Sequence, residues 1–394
     1  MIPYGRQHVS EADIEAVSAV LRSDFLTQGP QLPAFEDALR ARCESSYAVA
    51  ANSATSALHV ACLALGLGPG GRLWTSPITF VASANVARLA GADVDFVDIN
   101  PRTYNMCADA LAVKLRAAES RGELPDIVMP VHLAGQSCEM AAIHELGKRY
   151  GFKIVEDASH AVGGSYRGEP VGSCRFSDVT VFSFHPVKII TTAEGGAALT
   201  NDDAVAQKMR RLVSHGVTRD EALMTEEVDG PWSYQQIELG LNYRMTDVHA
   251  ALGLSQLSRL DEIVSRRHEM AARYDDELTG LPITLPYQLP EARSALHLYP
   301  IVCDTGAVDR RAVFEAMRAA GVYVNVHYIP VYKQPYYRAL GFSADYCRTA
   351  ELYYAGALTI PLFPTLTDAQ QDEVIVALKK ALEDGATPRR TGAA

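Results

Sequence analysis

The residues best able to do chemistry gather around Lys188, in the run Val181-Phe-Ser-Phe-His-Pro-Val-Lys-Ile-Ile-Thr-Thr-Ala-Glu-Gly-Gly196. An ammonium group among Val, Ile and Phe must reach back to water or give up its proton, and a desolvated lysine has a lowered pKa. The neutral amine that results is a nucleophile suited to a Schiff base. Ser183 and His185 lie on the approach, and Gly195-Gly196 lets the backbone pass close to a neighbour. Taken alone, the run reads more readily as an exposed lysine at a strand end before a glycine turn, so its neighbours decide. Asp157 stands 31 residues earlier, in Glu156-Asp-Ala-Ser-His160. It follows the short apolar run Phe152-Lys-Ile-Val155, so alternation turns one carboxylate of the Glu-Asp pair inward and the other away. A phosphate could sit at Asn52-Ser-Ala-Thr-Ser-Ala-Leu-His-Val-Ala61, where a strand passes through small residues into a helix with free N–H groups. An ordinary N-cap accounts for the same residues.

Those groups need a frame, and the pattern supplies one. Short apolar runs alternate with helical periodicity: strands at 47–51, 72–75, 93–97, 126–132 and 152–155, with helices at 81–90, 108–121 and 140–150 between them. Alternating β and α units imply an α/β fold with a mostly parallel sheet covered on both faces, its ligand lying beyond the carboxyl ends of the strands. That edge carries Phe80, the 132–136 loop and Asp157. Helices are expected at 11–23 and 33–43, further strands at 178–184 and 196–200, and a helix at 202–213. A polar loop follows at 214–238, then one long bridging helix at 247–278. The smaller C-terminal α+β domain has strands at 298–302 and 323–327 and helices at 308–320 and 368–383. The expected division is an N-terminal arm and large domain over 1–250, a bridging helix and small domain over 251–385, and a disordered tail over 386–394. The Gly66-Leu-Gly-Pro-Gly-Gly71 run follows a helix and contains Pro69, so it reads as a helix end and not a dinucleotide turn.

Composition narrows the classes. A net charge of −11 and a pI near 5.5 argue against a general nucleic-acid or anionic-membrane surface. Seven scattered cysteines without a CxxC pair, and no apolar span or leader, point to a reducing cytoplasm, with neither a disulfide framework nor a metal site expected. The lysine, the aspartate, the flat ring of Phe80 and the phosphate seat together describe a pyridoxal phosphate site. That cofactor needs an amine for its aldehyde, an acid for its ring nitrogen, a surface to stack on and donors for its phosphate.

On these residues the chain resembles the DegT/DnrJ/EryC1/StrS sugar aminotransferases, over nearly its whole length from Leu26-Thr-Gln-Gly29 to Ile360-Pro361. The further matches are Asn52-Ser-Ala-Thr-Ser-Ala-Leu58, Phe182-Ser-Phe-His185 with Lys188, Ile190-Thr-Thr-Ala-Glu-Gly-Gly196, His297-Leu-Tyr-Pro300 and Val326-His-Tyr328, which lie nearest the pseudaminic acid branch. The resemblance implies an aspartate aminotransferase-like fold (PLP fold type I), with Lys188 bonding the cofactor aldehyde and then carrying protons. Asp157 would pair with the ring nitrogen, Phe80 stack on the ring, and His160 lie beside the cofactor hydroxyl, where many relatives have Gln. The amides of Ala54 and Thr55, the Ser183 hydroxyl and Asn242 from a second subunit would hold the phosphate, which implies a homodimer with shared sites. Tyr4, Thr27, Gln28, Gly29, Arg219, His327 and Tyr328 would contact the nucleotide sugar. Ala54 and Ala193 replace frequent glycines, and Gly71-Arg72 stands where an acidic residue is usual. The implied reaction moves the amino group of L-glutamate to C4 of a UDP-linked 4-keto-6-deoxy-2-acetamido sugar of L-arabino configuration. The same chemistry on a D-xylo or 3-keto sugar stays open, as do a nicotinamide-dependent oxidoreductase and a non-enzymatic binding protein.

Overall fold

The computed structural model describes residues 1–386. Its centre is a seven-stranded sheet of β1 (Tyr47–Ala51), β2 (Arg72–Thr75), β3 (Asp93–Phe96), β4 (Ile127–Met129), β5 (Lys153–Asp157), β6 (Val179–Ser183) and β7 (Gly196–Thr200). The spatial order is β1-β7-β6-β5-β4-β2-β3. Pairs among β2 to β6 are parallel, whereas β7 runs antiparallel to both β6 and β1. The inner strands are buried on both faces, as Ile127–Met129 and Val179–Ser183 show, which is why they read as unbroken apolar runs.

Helices α1 (Glu11–Leu21), α2 (Gln31–Cys43), α3 (Ala54–Ala64), α4 (Ala82–Leu89), α5 (Ala108–Glu119), α6 (Met140–Tyr150) and α7 (Asp203–Leu212) surround the sheet or lead into it. Three of them start where capping chemistry puts them: Ser10 and Asp13 close a capping box on α1, and Ser53 and Asp202 cap α3 and α7. Two apolar clusters lie on opposite faces of the sheet: Leu58, Leu73, Phe96 and Val181 share one, Phe35, Phe182, Phe184 and Ile190 the other.

The long helix expected over 247–278 is two helices, α8 (Asp247–Leu257) and α9 (Leu260–Leu278). The break sits at Arg259 (φ −107°, ψ 10°), where Asp13 acts as anchor. This buried carboxylate accepts from Arg259 Nη2 at 2.6 Å, Gln256 Nε2 at 2.7 Å and Ser255 Oγ at 2.6 Å, drawing the end of α8 against α1. Helical periodicity cannot register such a contact across 246 residues. A smaller sheet, β8 (Ile283–Thr284), β9 (Tyr299–Cys303) and β10 (Ala357–Ile360), packs with α10 (Arg310–Ala319) and α13 (Asp368–Asp384). The strand expected at 323–327 is only isolated bridges, because its backbone partners are split: Val322 pairs with Ile2 and Asn325 with Thr359. Segment 331–356, with α11 (Pro335–Ala339) and α12 (Arg348–Gly356), packs Tyr332, Tyr337 and Tyr353 into the cluster of Phe96. The polar loop at 214–238 holds a short hairpin of Val217–Thr218 with Gln235–Gln236. Of the tail expected to be disordered, 387–394 lie outside the described residues. No helix among the described residues is long and apolar enough to cross a membrane.

Candidate active site

At the carboxyl edge of the sheet a cavity of about 440 Å³ brings together Lys188, Asp157, His160, Tyr328, Ser183 and the start of α3. Strand β5 runs two residues further than its apolar core suggests, so Glu156 and Asp157 are its last two residues and not a turn after it. Asp157 faces the cavity and Glu156 faces away, as alternation requires. Asp157 accepts three hydrogen bonds: Ser83 Oγ to Oδ2 at 2.6 Å, and Ser159 Oγ and N–H to Oδ1 at 2.6 and 3.1 Å. Thr79 Oγ1 lies 2.8 Å from Ser83 Oγ and completes the chain. All three donors point at the carboxylate oxygens and fix its orientation toward the cavity.

Lys188 sits on the 184–195 connection between β6 and β7, not on a strand. Thr192 N–H and Thr191 Oγ1 donate to Phe184 O, and Lys188 N–H donates to His185 O, which folds the connection on itself. Ile189 and Ile190 enter the core while the half-buried Lys188 turns to the cavity. Burial pushes its amine down to about 8, and the charge of Asp157 opposes the fall. Ala193 adopts φ 65°, the left-handed region where glycine is at ease, so its methyl costs about 1 kcal/mol.

The phosphate seat has its own geometry. Ser53 Oγ accepts from Ser56 N–H at 3.1 Å, and Ala54 and Thr55, the first residues of α3, line the cavity beside Ser183. Gly196 is obligatory there: a Cβ would lie 2.5 Å from Ala54 N and Cα, so only glycine lets β7 pass this close to the helix start. Phe80, 61% exposed at the mouth, keeps a ring face free, 6.5 Å from the Tyr328 ring. An amine of lowered pKa, a carboxylate held by three donors, an exposed aromatic ring and a helix start on one cavity fit pyridoxal phosphate.

On the far wall His160 Nδ1 accepts from Ala134 N–H at 3.2 Å, and its Nε2 lies 3.2 Å from Tyr328 Oη. Burial, then the Lys188 and His327 charges, hold His160 well below the usual imidazole range. Burial, with the Lys188 charge, pushes His327 down to about 3; its Nδ1 is 2.9 Å from Thr359 Oγ1 and its ring centroid 5.2 Å from that of Tyr4.

Of the sequence candidates, Tyr4, Ala54, Thr55, Phe80, Asp157, His160, Ser183, Lys188, His327 and Tyr328 line this one cavity. Five others do not. Thr27 and Gln28 are exposed, and Gly29 N–H donates to Asp247 Oδ2 at 2.8 Å, which ties its turn to the start of α8. Arg219 projects from the 217–236 hairpin, 5.8 Å from the Tyr234 ring, and Asn242 is exposed beside it. Sequence reasoning missed Ser83, Thr79, Asn325 and the orienting role of Ser159. Ser159 could have been found, since a serine two residues after an aspartate readily bonds back to it; Ser83, 74 residues away, carries no local signal.

The model of the DegT/DnrJ/EryC1/StrS aminotransferase family matches residues 7–379. The UDP-4-amino-4,6-dideoxy-N-acetyl-beta-L-altrosamine transaminase of Campylobacter jejuni is 37% identical over 363 residues, 92% of each chain. Helicobacter pylori PseC, an aminotransferase of pseudaminic acid biosynthesis, superposes with a TM-score of 0.88 at 30% identity, covering 97% of this chain and 99% of that one. The PLP form of Spr1654 from Streptococcus pneumoniae also gives a TM-score of 0.88 at 30% identity, covering 98% and 100%.

Proposed function

Because the chain belongs to the DegT/DnrJ/EryC1/StrS aminotransferase family and is a pyridoxal-phosphate-dependent sugar aminotransferase, we propose that it moves the amino group of L-glutamate to C4 of a UDP-linked 2-acetamido-2,6-dideoxy-L-arabino-4-ketohexose. The product would be UDP-4-amino-4,6-dideoxy-N-acetyl-beta-L-altrosamine, an intermediate of pseudaminic acid. The observation that carries the chemistry is the Lys188 amine and the Asp157 carboxylate facing one cavity beside the open start of α3. The choice of sugar is supported by the likeness to the Campylobacter transaminase.

When bound, the cofactor supplies an electron sink through which an amino group passes from donor to acceptor. The residues do the rest. With its amine lowered to about 8, Lys188 keeps a neutral fraction at neutral pH; that neutral amine takes a proton from the donor's α-carbon, and the ammonium it becomes returns one to the sugar's C4. Asp157 holds a proton on the ring nitrogen, fixed by Ser83 and Ser159. The Ala54 and Thr55 amides and Ser183 take the phosphate, and Phe80 covers the ring. His327, Tyr328 and Tyr4 face the sugar and nucleotide.

The reading includes a homodimer. Arg219 and Asn242 lie outside the chain's own cavity, on a region that also exposes Trp232, Tyr234 and Leu239. In a dimer, the partner subunit's Asn242 and the partner subunit's Arg219 would complete the phosphate and nucleotide contacts, and the 27–29 turn would join that rim.

The test follows the cofactor's own absorbance. Glutamate should bleach the visible band, and after its removal the L-arabino keto sugar should restore it. Restoration by the D-xylo epimer alone would reassign the substrate and leave the chemistry standing; a band that glutamate never bleaches would sink the donor assignment.

A further inference from the structure

His160 is held at both ring nitrogens, and that settles which way its hydrogen bonds run. Its Nδ1 lies 3.2 Å from the Ala134 amide. A backbone N–H only donates, so Nδ1 keeps its lone pair, and the proton of a neutral imidazole is on Nε2. Nε2 is 3.2 Å from Tyr328 Oη, so the imidazole donates and the phenol accepts. Rotating the ring by half a turn would put carbons at both contacts and lose both bonds, so the ring's orientation is fixed by its partners.

The Ala134 amide is aimed by a strained turn. Ala134 has φ 59° and Gly135 φ 104°, and a Cβ on Gly135 would lie 2.8 Å from Leu296 N and 2.9 Å from His160 O. Ala295 N–H to Gly135 O at 3.0 Å and Leu298 N–H to Ala134 O at 3.3 Å tie the turn to the segment entering β9. That segment places the buried His297 ring 4.4 Å from the His160 ring. Lys188, His327 and His297 thus all face His160, and a proton added there would meet cations or buried, uncharged rings. Among the described residues Tyr328 Oη has no other hydrogen-bond partner, and its ring lines the cavity. Burial, then the Tyr4 and Asp157 charges, push its ionisation upward, so the phenol keeps its hydrogen. With one lone pair occupied by His160, the O–H is free to point into the cavity.

We infer that His160 is a positioning residue that makes Tyr328 a hydrogen-bond donor to an oxygen of the sugar bound in the cavity. The identity of that oxygen as a ketone rests on the aminotransferase reading. A ketone oxygen gains negative charge as its carbon is attacked, and a donor fixed before the reaction stabilises that charge without reorganising. This use of Nε2–H competes with a contact from His160 to the cofactor hydroxyl, and the two are separable by experiment.

Two measurements on the full-length, cofactor-loaded protein test the inference. The first is imidazole 15N NMR at pH 7, with His160 assigned by its loss in His160→Gln. A neutral Nε2–H tautomer is expected, and an Nδ1–H tautomer or an imidazolium would overturn the argument without reference to any substrate. The second is a double-mutant cycle read as kcat with the keto sugar. His160→Leu should lower kcat roughly tenfold when Tyr328 is present and less than about twofold in a Tyr328→Phe background. His160→Gln, whose amide oxygen can accept from Ala134 and whose NH2 can donate to Tyr328, should recover most of the loss. Additive losses, a Gln variant no better than Leu at equal melting temperature, or a His160→Leu change in cofactor absorbance that persists in the Tyr328→Phe background would each overturn it. Failure of the aminotransferase reading would show instead in the unmutated protein, as a band that glutamate leaves unchanged.

Discussion

Glu156 and Asp157 are neighbours at the end of one strand, both buried and both carboxylates, yet the sheet gives them opposite surroundings. Glu156 is closed in. Its Oε2 takes His132 Nε2 at 2.6 Å, while Oε1 takes Ser177 Oγ at 2.6 Å and Thr180 Oγ1 at 2.9 Å. His132 is held at its other nitrogen by Cys138 N–H at 3.2 Å, so the network ends in protein at every atom. Burial works against the charge on Glu156, but the His132 bond and the two hydroxyls outweigh it and keep the carboxylate below its ordinary range. Asp157 has three donors too, but its cluster opens on a 440 Å³ cavity with an amine of lowered pKa among its walls. Burial alone therefore does not mark a functional carboxylate. What distinguishes Asp157 is an unfilled space in front of it and a complementary group across that space.

The largest effect should fall on the cavity side, at the amine. Lys188→Ala should lower the glutamate half-reaction on the order of 10³-fold or more while leaving the melting temperature unchanged or raised, because a half-buried ammonium is removed. The homodimer reading adds a sharper form. Mixing unfolded Lys188→Ala and Asn242→Ala proteins and refolding them together should restore about a quarter of the sites, because half the dimers are mixed and each has one site intact in both contributions. No recovery, with mixed dimers shown by light scattering and mass, would remove Asn242 from the partner's site.

The two carboxylates can then be set against each other. Asp157→Asn should lower the half-reaction on the order of 10²-fold with little change in melting temperature. Glu156→Ala should do the reverse, costing about 3–5 kcal/mol of stability because His132, Ser177 and Thr180 lose a shared buried acceptor, while the rate per folded molecule holds. Equal effects on stability would erase the distinction drawn here.

How far this contrast could be read from the chain depends on the distance over which each part is specified. The alternation that separates Glu156 from Asp157 is a property of adjacent residues, and the sequence pattern carries it. So are the caps of α1 and α3 and the alternation of β and α units. The break between α8 and α9 is set by Asp13, the loss of a strand at 323–327 by Ile2 and Thr359, and the hold on Asp157 by Ser83. Each of these is a single contact spanning dozens to hundreds of residues, with no periodicity to betray it. Lys188 shows a third case. Its apolar neighbours revealed the lowered pKa, but only the fold shows that Ile189 and Ile190 enter the core while the lysine turns aside.

The lowered amine pKa gives a dependence of intermediate size. Only the neutral amine can bond the cofactor's aldehyde, so loading of the cofactor-free protein should quicken nearly tenfold per pH unit below about 8 and level off above it. The sign for stability runs the same way. The unfolded chain holds its lysine proton up to about 10.4, whereas the folded chain releases it near 8, so Lys188 favours folding increasingly as pH rises across that interval. Loading that stays slow until pH 10 would mean that the amine is solvated and the cavity is not what lowers its pKa.

The smallest effects should come from the hydroxyls behind Asp157, and they test whether its orientation matters as well as its charge. Ser83 and Ser159 are not equivalent. Removing the Ser159 hydroxyl leaves its backbone N–H on Oδ1 at 3.1 Å, so that oxygen keeps a donor. Removing the Ser83 hydroxyl leaves Oδ2 with no donor among the described residues and Thr79 Oγ1 without its 2.8 Å partner. A lost hydrogen bond to a charged group is worth about 1.5–3 kcal/mol where nothing replaces it. Ser83→Ala should therefore weaken cofactor affinity about tenfold, with Ser159→Ala changing it about threefold or less. The ratio of the two, measured by equilibrium dialysis of the cofactor, carries the argument. If the order is reversed, Oδ1 and not Oδ2 is the oxygen whose position the ring nitrogen depends on; if both are silent, the cavity tolerates a carboxylate free to rotate, and only the charge of Asp157 separates it from Glu156.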